Sequence, residues 1–119
     1  MESLPHATDR LGQCDGDAAR YGLSVADVLT YLRGARLVAS ARQQRPDRVN
    51  PAAAAAPIAT VWFTDGRYVW DAAVLAYVKR YRMAVPDRFL QHVAAHPAGP
   101  PPVSDADVDA ARALLAARR

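Results

Sequence analysis

The sequence has few of the residues on which disulfide-bonded, membrane-spanning or secreted proteins depend. It contains one cysteine, Cys14, so an intrachain disulfide is excluded. No apolar run approaches the roughly 20 residues that a membrane-spanning helix needs. The N-terminal segment also lacks a basic region followed by an apolar one, as a secretion signal would have. We therefore expect a cytoplasmic protein.

Lysine is almost absent, and the basic charge comes from arginine, since Lys79 is the only lysine. The formal net charge is +3 over 119 residues. A basic nucleic-acid-binding domain normally shows a stronger and more clustered excess. Hydrophobic residues make up 51% of the chain, but many are alanines that bury little area. The composition therefore indicates one domain with one modest core.

Motifs that would identify an enzyme are missing as well. The serines fit helix caps or a strand, and no glycine-rich elbow or phosphate-binding loop accompanies them. Asp65, Asp71 and Asp87 stand where turns and helix starts favour aspartate. We expect no catalytic residues, with a pocket assembled from distant residues as the alternative.

His92 and His96 are four residues apart, the spacing at which two histidines on a helix can share a metal ion. The sequence offers no intervening acid, no cysteine pair and no third ligand nearer than His6. We interpret the two as one exposed histidine and one histidine near a helix end. No metal and no other cofactor is expected.

The chain divides into four segments by composition and periodicity. Residues 1–22 are polar and turn-rich, and we expect a flexible tail. Residues 23–96 carry the periodic patterns of an α+β core domain, and residues 97–103 form a proline-rich linker. Residues 104–119 predict an amphipathic C-terminal helix, which could pack on its own domain or on a second copy.

Cap and breaker residues predict three helices in the core domain, and alternation predicts three strands. The predicted helices are 25–33 between Ser24 and a left-handed Gly34, 72–83 after Asp71, and a short helix after Pro86. The predicted strands are 36–42, 58–63 and 67–70, with a proline-bounded, alanine-rich loop over 43–57. Together they predict a small three-stranded antiparallel sheet with a central Asp-Gly hairpin, packed by three to four helices.

Asp65 and Gly66 stand between two apolar runs, which is a strong signal for a two-residue type I′ hairpin turn. That turn would place Phe63 opposite Tyr68. The side chains then sort into two faces. Val61, Phe63, Tyr68 and Trp70 form the core face, and Thr60, Trp62, Thr64, Arg67 and Val69 form the other.

The second face is the surface on which we expect a partner to bind. Arginine and tryptophan are the residues most enriched at binding hot spots. The candidate partner-binding residues are Arg36, Arg42, Arg48, Trp62 and Arg67. The same ingredients also suit nucleic acid, with the basic strand and loop of residues 36–48 beside the aromatic hairpin. The bland alternative is a solvated arginine edge with Trp62 covered by a terminal helix.

The core pattern resembles a group of small, uncharacterised proteins of GC-rich bacteria over about 70 residues. The residues that carry the resemblance are Tyr31, Leu32, Gly34, Thr64, Asp65, Gly66, Trp70, Tyr77, Tyr81, Pro86, Phe89 and His92. This resemblance implies a fold and no settled activity. In size, class and organisation the chain also resembles, loosely, the immunity proteins of polymorphic toxin systems.

These observations favour a small protein-binding module, in its narrowest form an immunity-type inhibitor that occludes a bacterial toxin. The partner would be another protein, such as the product of a neighbouring gene. A net positive charge suits an acidic partner. Nucleic-acid binding is the second hypothesis, and the oligomeric state stays open.

Overall fold

The computed structural model describes residues 1–6, 8–50 and 57–118. The α+β class is confirmed, but the sheet is four-stranded and mixed, and five helices pack around it within the described part. The predicted three-stranded antiparallel sheet with three to four helices was therefore too small. The elements are β1 (Glu2–Ser3), α1 (Cys14–Ala19), α2 (Val25–Arg33), β2 (Arg36–Arg45), β3 (Ile58–Thr64), β4 (Tyr68–Asp71), α3 (Ala72–Tyr81), α4 (Asp87–Ala94) and α5 (Asp105–Ala117).

The strands lie in the order β1-β4-β3-β2. β1 runs parallel to β4, and the other neighbours are antiparallel. β2 forms one edge of the sheet and extends to Arg45, so it takes in part of the predicted loop. The alanine-rich part of that loop, residues 51–56, lies outside the described residues.

The prediction that residues 1–22 form a tail is wrong for much of this segment. β1 adds to the sheet beside β4, where the backbone N–H of Leu4 donates to the carbonyl of Val69. Leu4, Cys14 and Ala18 are buried in the core. These contacts join residues distant in the sequence, and β1 and α1 are too short to show a periodic pattern.

Local cap chemistry accounts for where the two best-predicted helices begin. Ser24 and Asp27 form a capping box at α2, and Ser104 forms the same arrangement with Asp107 at α5. Gly34 ends α2 in a right-handed conformation, so the predicted left-handed cap is wrong there. A left-handed residue instead ends α3, at Arg82.

The β3–β4 hairpin has a wider turn than predicted. Thr64 pairs with Val69 and Phe63 with Trp70, so each partner lies two positions further along β4 than expected. A type I′ turn needs positive φ at both central residues, and within this turn only Gly66 has one. The side chain of Asp65 instead accepts from the backbone N–H groups of Arg67 and Tyr68. A shift of two leaves every side chain on its predicted face.

The two faces of the sheet are covered differently. Phe63, Tyr68 and Trp70 pack into the main core with α2, α3 and α4. On the other face, α5 covers β2 and β3 and buries Val38 and Ala111. The C-terminal helix therefore packs on its own chain. No helix in the described part is long and apolar enough to cross a membrane.

Candidate functional site

The five predicted partner-binding residues do not form one cluster. Arg36 and Arg67 lie at the hairpin end of the sheet, because Arg36 pairs with Thr64 directly before the turn. Arg48 lies beyond the opposite end of β2, where its backbone N–H donates to the hydroxyl of Tyr77. β2 has 10 residues, and at about 3.3 Å per residue the two ends are roughly 30 Å apart.

Part of the predicted basic patch is already used inside the protein. Arg36 donates to the carbonyl oxygen of Val103 at 2.9 Å and to the carboxylate of Asp105 at 2.5 Å. It therefore fastens the start of α5 to the first residue of β2. Arg45 reaches the buried carboxylate of Asp71 at 3.0 Å. Both arginines have carboxylate partners, which lowers the positive charge that this segment offers to a ligand.

A different grouping, which we call the edge face, forms where β2 and β3 meet the second half of α5. It combines the exposed stretch of β2 from Ala39 to Gln44 with a groove of about 440 Å³. The groove is lined by Ala39, Trp62, Arg112, Leu115, Ala116 and Arg118. Of the five predicted residues, the edge face contains Trp62 and Arg42.

The backbone of the edge face is available for pairing. No strand lies beyond β2 among residues 1–6, 8–50 and 57–118. The register of β2 on β3 shifts around Val38, and the side chain of Arg112 donates to the Val38 carbonyl at 3.0 Å. Beyond that point, Ala39 to Gln44 are all exposed. An exposed edge of this kind carries unpaired N–H and C=O groups, although the carbonyl of Gln43 already accepts the hydroxyl of Thr60 at 2.6 Å.

Trp62 is partly covered by α5 and partly open to the groove. It packs beside Val69, with Leu114 and Leu115 as neighbours in the same apolar cluster. Whether Trp62 is exposed was left open by the sequence, and the structure shows a ring that α5 covers in part. A tryptophan whose ring forms one wall of an apolar groove can take a partner's side chain without a change of fold.

The most highly connected polar group was not among the predicted site residues. Asp65 is buried, and its side chain joins the hairpin to two helices. One oxygen accepts the hydroxyl of Tyr31 at 2.6 Å and lies 3.0 Å from Nε2 of His92. We call Tyr31, Asp65 and His92 the Asp65 cluster.

The Asp65 cluster holds α2, α4 and the hairpin together. The second oxygen of Asp65 accepts the backbone N–H groups of Arg67 and Tyr68, at 2.9 and 2.7 Å. Burial, followed by the hydrogen bond to Asp65, raises the pKa of Tyr31 far above its ordinary value, so the phenol stays protonated as a donor. One of the two histidines was expected to be exposed, but both His92 and His96 are partly buried, and His92 is hydrogen-bonded to Asp65.

Two further buried aspartates tie loops to α3. Asp71 caps α3 through the N–H of Ala73, and His6 and Arg45 contact its two oxygens at 2.9 and 3.0 Å. Burial alone raises the pKa of Asp71, but His6 and Arg45 outweigh it, so the pKa lies below its ordinary value.

Asp47, predicted only as a charge opposing the basic segment, is buried in a similar setting. Burial raises its pKa, while hydrogen bonds from Tyr81, Arg80 and two backbone N–H groups lower it by more. The segment after β2 is therefore held to α3 through an ionised Asp47.

These lowered pKa values predict that acid destabilises the protein. These carboxyls have a lower pKa in the folded protein than in the unfolded chain, where a free aspartate has a pKa of about 3.9. As the pH falls, the unfolded chain therefore binds protons before the folded protein does. The stabilisation is complete above the pKa of the unfolded chain and is lost as the pH falls through the folded-state value. For each additional proton that the unfolded chain binds, the free energy of unfolding falls by about 1.4 kcal/mol per pH unit.

Urea unfolding between neutral pH and acid measures this dependence. We expect Asp71→Asn to be less stable than the wild type at neutral pH and to lose less stability on acidification. The exposed Asp109→Asn is the matched control and should follow the wild type. An acid dependence that Asp71→Asn leaves unchanged would refute this role of Asp71.

Cys14 has the properties of a structural thiol. It is fully buried, and burial, with the nearby charges of Asp15 and Asp17, raises the pKa of the thiol to about 11. Because the thiolate is the reactive form, these surroundings disfavour a reactive cysteine and are those of a side chain that packs in the core.

Sequence reasoning missed the Asp65 cluster because its members are far apart in the chain. Asp65 lies 34 residues from Tyr31 and 27 from His92. A turn accounts locally for the aspartate, and a helix end accounts for the histidine. The one available signal was the resemblance pattern, which contains all three residues.

Comparisons with protein-family models, curated proteins and solved structures find no match to this chain. The suspected similarity to immunity proteins is therefore neither supported nor contradicted by them. The candidate sites depend on the geometry alone.

Proposed function

We propose that this chain is a small cytoplasmic protein-binding module that holds an extended, acidic segment of a partner protein on its edge face. The observation that carries the proposal is the exposed edge of β2 directly beside the Trp62 groove. An extended segment can add to the sheet through backbone hydrogen bonds. Its side chains point alternately to the two sides of the sheet, so one of them can enter the groove.

The charges around the edge face favour an acidic partner. Arg42 has no ion-pair partner within the described part of the chain, and Arg112 and Arg118 flank the apolar floor of the groove. Arg42 can meet a carboxylate on a partner strand directly, which directs association and fixes register. Arg112 lies 3.8 Å from the exposed Asp109 and Arg118 donates to the hydroxyl of Ser3, so a partner carboxylate would replace these contacts. Desolvated contact with Trp62 would supply much of the affinity.

A second copy of this chain fits the same edge poorly. β2 contains Arg36, Arg42 and Arg45 and no acidic residue. Arg36 and Arg45 have carboxylate partners, but pairing two copies of β2 would place the Arg42 side chains of both copies along one edge, and like charges are unfavourable across strands. The register shifts in β2 further restrict which strands can pair with it.

In its narrowest form, the module is an immunity-type inhibitor whose partner is a toxin encoded by a neighbouring gene. Inhibition would follow from occlusion, because a partner segment held on β2 is unavailable for another contact. This mechanism asks for no catalytic group on this chain.

The test is co-expression of the tagged protein with the products of its neighbouring genes, followed by affinity measurement on the purified pair. We expect one partner to bind, and Arg42→Glu and Trp62→Ser each to weaken it at least about tenfold, or roughly 1.4 kcal/mol. Lys79→Glu makes the same charge change on α3, which packs on the other face, and should leave the affinity unchanged.

Two results would count against the proposal. In the first, no product binds, or both Arg42→Glu and Trp62→Ser bind as the wild type does. In the second, the protein retards the migration of single-stranded RNA or DNA at low salt, and its affinity falls steeply as the salt concentration rises. That salt dependence is the signature of phosphate contacts. That outcome would favour the nucleic-acid hypothesis for residues 36–48.

A further inference from the structure

His92 and His96 form a pair whose geometry goes beyond the packing role of the Asp65 cluster. His92 lies in the last turn of α4, and His96 follows just after the helix ends. Their ring centroids are 4.5 Å apart with the planes inclined by 51°. Each ring uses one nitrogen within the protein, and the question is what the other nitrogen can bind.

The hydrogen bonds determine which nitrogen of His92 is free. Its Nε2 lies 3.0 Å from Asp65, whose carboxylate accepts a hydrogen bond from the hydroxyl of Tyr31 and has no proton to donate. The Nε2 atom therefore carries the proton, and the lone pair of neutral His92 is on Nδ1. Within the described residues, Nδ1 has no hydrogen-bond partner, and it is not among the fully buried unpaired atoms.

The same reasoning applies to His96. Its Nδ1 lies 2.7 Å from the backbone carbonyl oxygen of His92. Since a carbonyl oxygen only accepts, Nδ1 donates, and the lone pair of neutral His96 is on Nε2. The two rings thus present one free lone pair each.

Metal-binding histidines in proteins have hydrogen bonds of this kind on the ring nitrogen that does not bind the metal. Such a histidine donates its second ring N–H to a carboxylate or a backbone carbonyl, which fixes the tautomer and the ring orientation. Asp65 supplies the carboxylate for His92, and the His92 carbonyl supplies the acceptor for His96. Asp65 is itself held by Tyr31 and two backbone N–H groups, so the support is rigid.

The spacing of the rings also suits one shared ion. Two imidazoles at metal–nitrogen distances of about 2.0–2.1 Å have centroids roughly 4.5 Å apart at a right angle and roughly 5.2 Å apart in a tetrahedral arrangement. The observed 4.5 Å matches the first. His96, but not His92, borders a pocket of about 430 Å³ between α2 and the end of α4, so water ligands have room on the His96 side.

We propose that Nδ1 of His92 and Nε2 of His96 bind one borderline divalent transition-metal ion, Zn²⁺, Ni²⁺ or Cu²⁺, with water completing the coordination. Imidazole nitrogen is a preferred ligand of these ions. No group of three or more His, Cys, Asp or Glu residues that could hold a metal occurs in the described part. Affinity is therefore weaker than that of a closed four-ligand site. This proposal is independent of partner binding on the edge face.

Titration of the full chain with NiCl₂ and ZnCl₂ in a calorimeter tests the site. We expect one ion per chain and a loss of affinity of at least about tenfold in His96→Gln. His96 lies outside the helix and its change should leave the fold intact. His6→Gln is the control, because His6 belongs to the separate Asp71 contact, and it should bind the ion as the wild type does.

Imidazole ¹⁵N spectra provide a second readout that does not depend on affinity. The metal-free protein should show Nε2–H at His92 and Nδ1–H at His96, and diamagnetic Zn²⁺ should shift the ¹⁵N resonances of His92 Nδ1 and His96 Nε2 together. The proposal is overturned if no binding occurs up to about 1 mM ion, if His96→Gln binds unchanged, or if only one ring responds.

Discussion

Replacing Asp65 with alanine is expected to lower the free energy of unfolding by about 3–5 kcal/mol. The carboxylate receives the hydroxyl of Tyr31, Nε2–H of His92 and two backbone N–H groups in a buried site. Without it, these donors have no partner, and leaving buried donors unsatisfied costs more than a hydrogen bond contributes on average. Small domains have a free energy of unfolding near 5–15 kcal/mol, so this change would remove a large part of the stability.

Chemical denaturation followed by circular dichroism measures this loss. Asp65→Asn keeps the shape and one acceptor oxygen, so a smaller loss than in Asp65→Ala is expected. The control is Asp109→Ala, which removes an exposed carboxylate on α5 and should change stability by no more than about 0.5 kcal/mol. Equal effects of Asp65→Ala and Asp109→Ala would rule out the Asp65 cluster as a buried hub.

Placing an aspartate at Ala111 is expected to release α5 from the sheet. Ala111 is fully buried against Val38 and Val69. A charge placed there without a partner costs on the order of 3 kcal/mol or more. Because α5 is the C-terminal element of the described chain and docks on one face, it can separate while the main core stays folded.

Hydrogen exchange on the α5 amides separates local release from global unfolding. In Ala111→Asp, the α5 amides should exchange rapidly while those of α3 remain protected. Ala110→Asp is a matched control, because Ala110 is next to Ala111 on the same helix but is exposed. In this variant α5 should stay docked. Loss of protection in both variants, or in neither, would contradict docking through Ala111.

The elements predicted well from sequence are those whose signals are local. Ser24 and Ser104 were both predicted as helix caps, and each forms a capping box where α2 or α5 begins. The faces of the hairpin were also correct, because side-chain alternation depends only on the strand. The predicted register of the hairpin was wrong, because it depends on the hydrogen bonds that the Asp65 side chain makes within the turn.

The parts that sequence reasoning missed are non-local. β1 has 2 residues, and its pairing with β4 is fixed by tertiary contact alone. Arg36 and Arg45 belong to the basic segment 36–48 that was considered for nucleic-acid binding, but they meet Asp105 and Asp71, which are 69 and 26 residues away. Nothing in the segment itself indicates such partners. Apart from the tail over residues 1–22, the domain boundaries proposed from composition stay a prediction.

The difference between local and non-local signals also explains which parts of the candidate sites were predicted. Trp62 and Arg42 were predicted because their residue types and the hairpin faces are visible in the sequence. The groove beside them needed α5, whose docking was left open. The pairing of His92 with Asp65 needed both the hairpin turn and α4 in place, although the resemblance pattern already contained the two residues.

Hydrogen–deuterium exchange on the purified complex with a co-expressed partner tests most directly the claim that the edge face is the binding surface. The prediction is slower exchange in the partner-bound protein at the amides of residues 39–44 and in the second half of α5, with α2 and α4 unchanged. Protection confined to the α2 and α4 side of the sheet, with residues 39–44 exchanging as in the free protein, would contradict it.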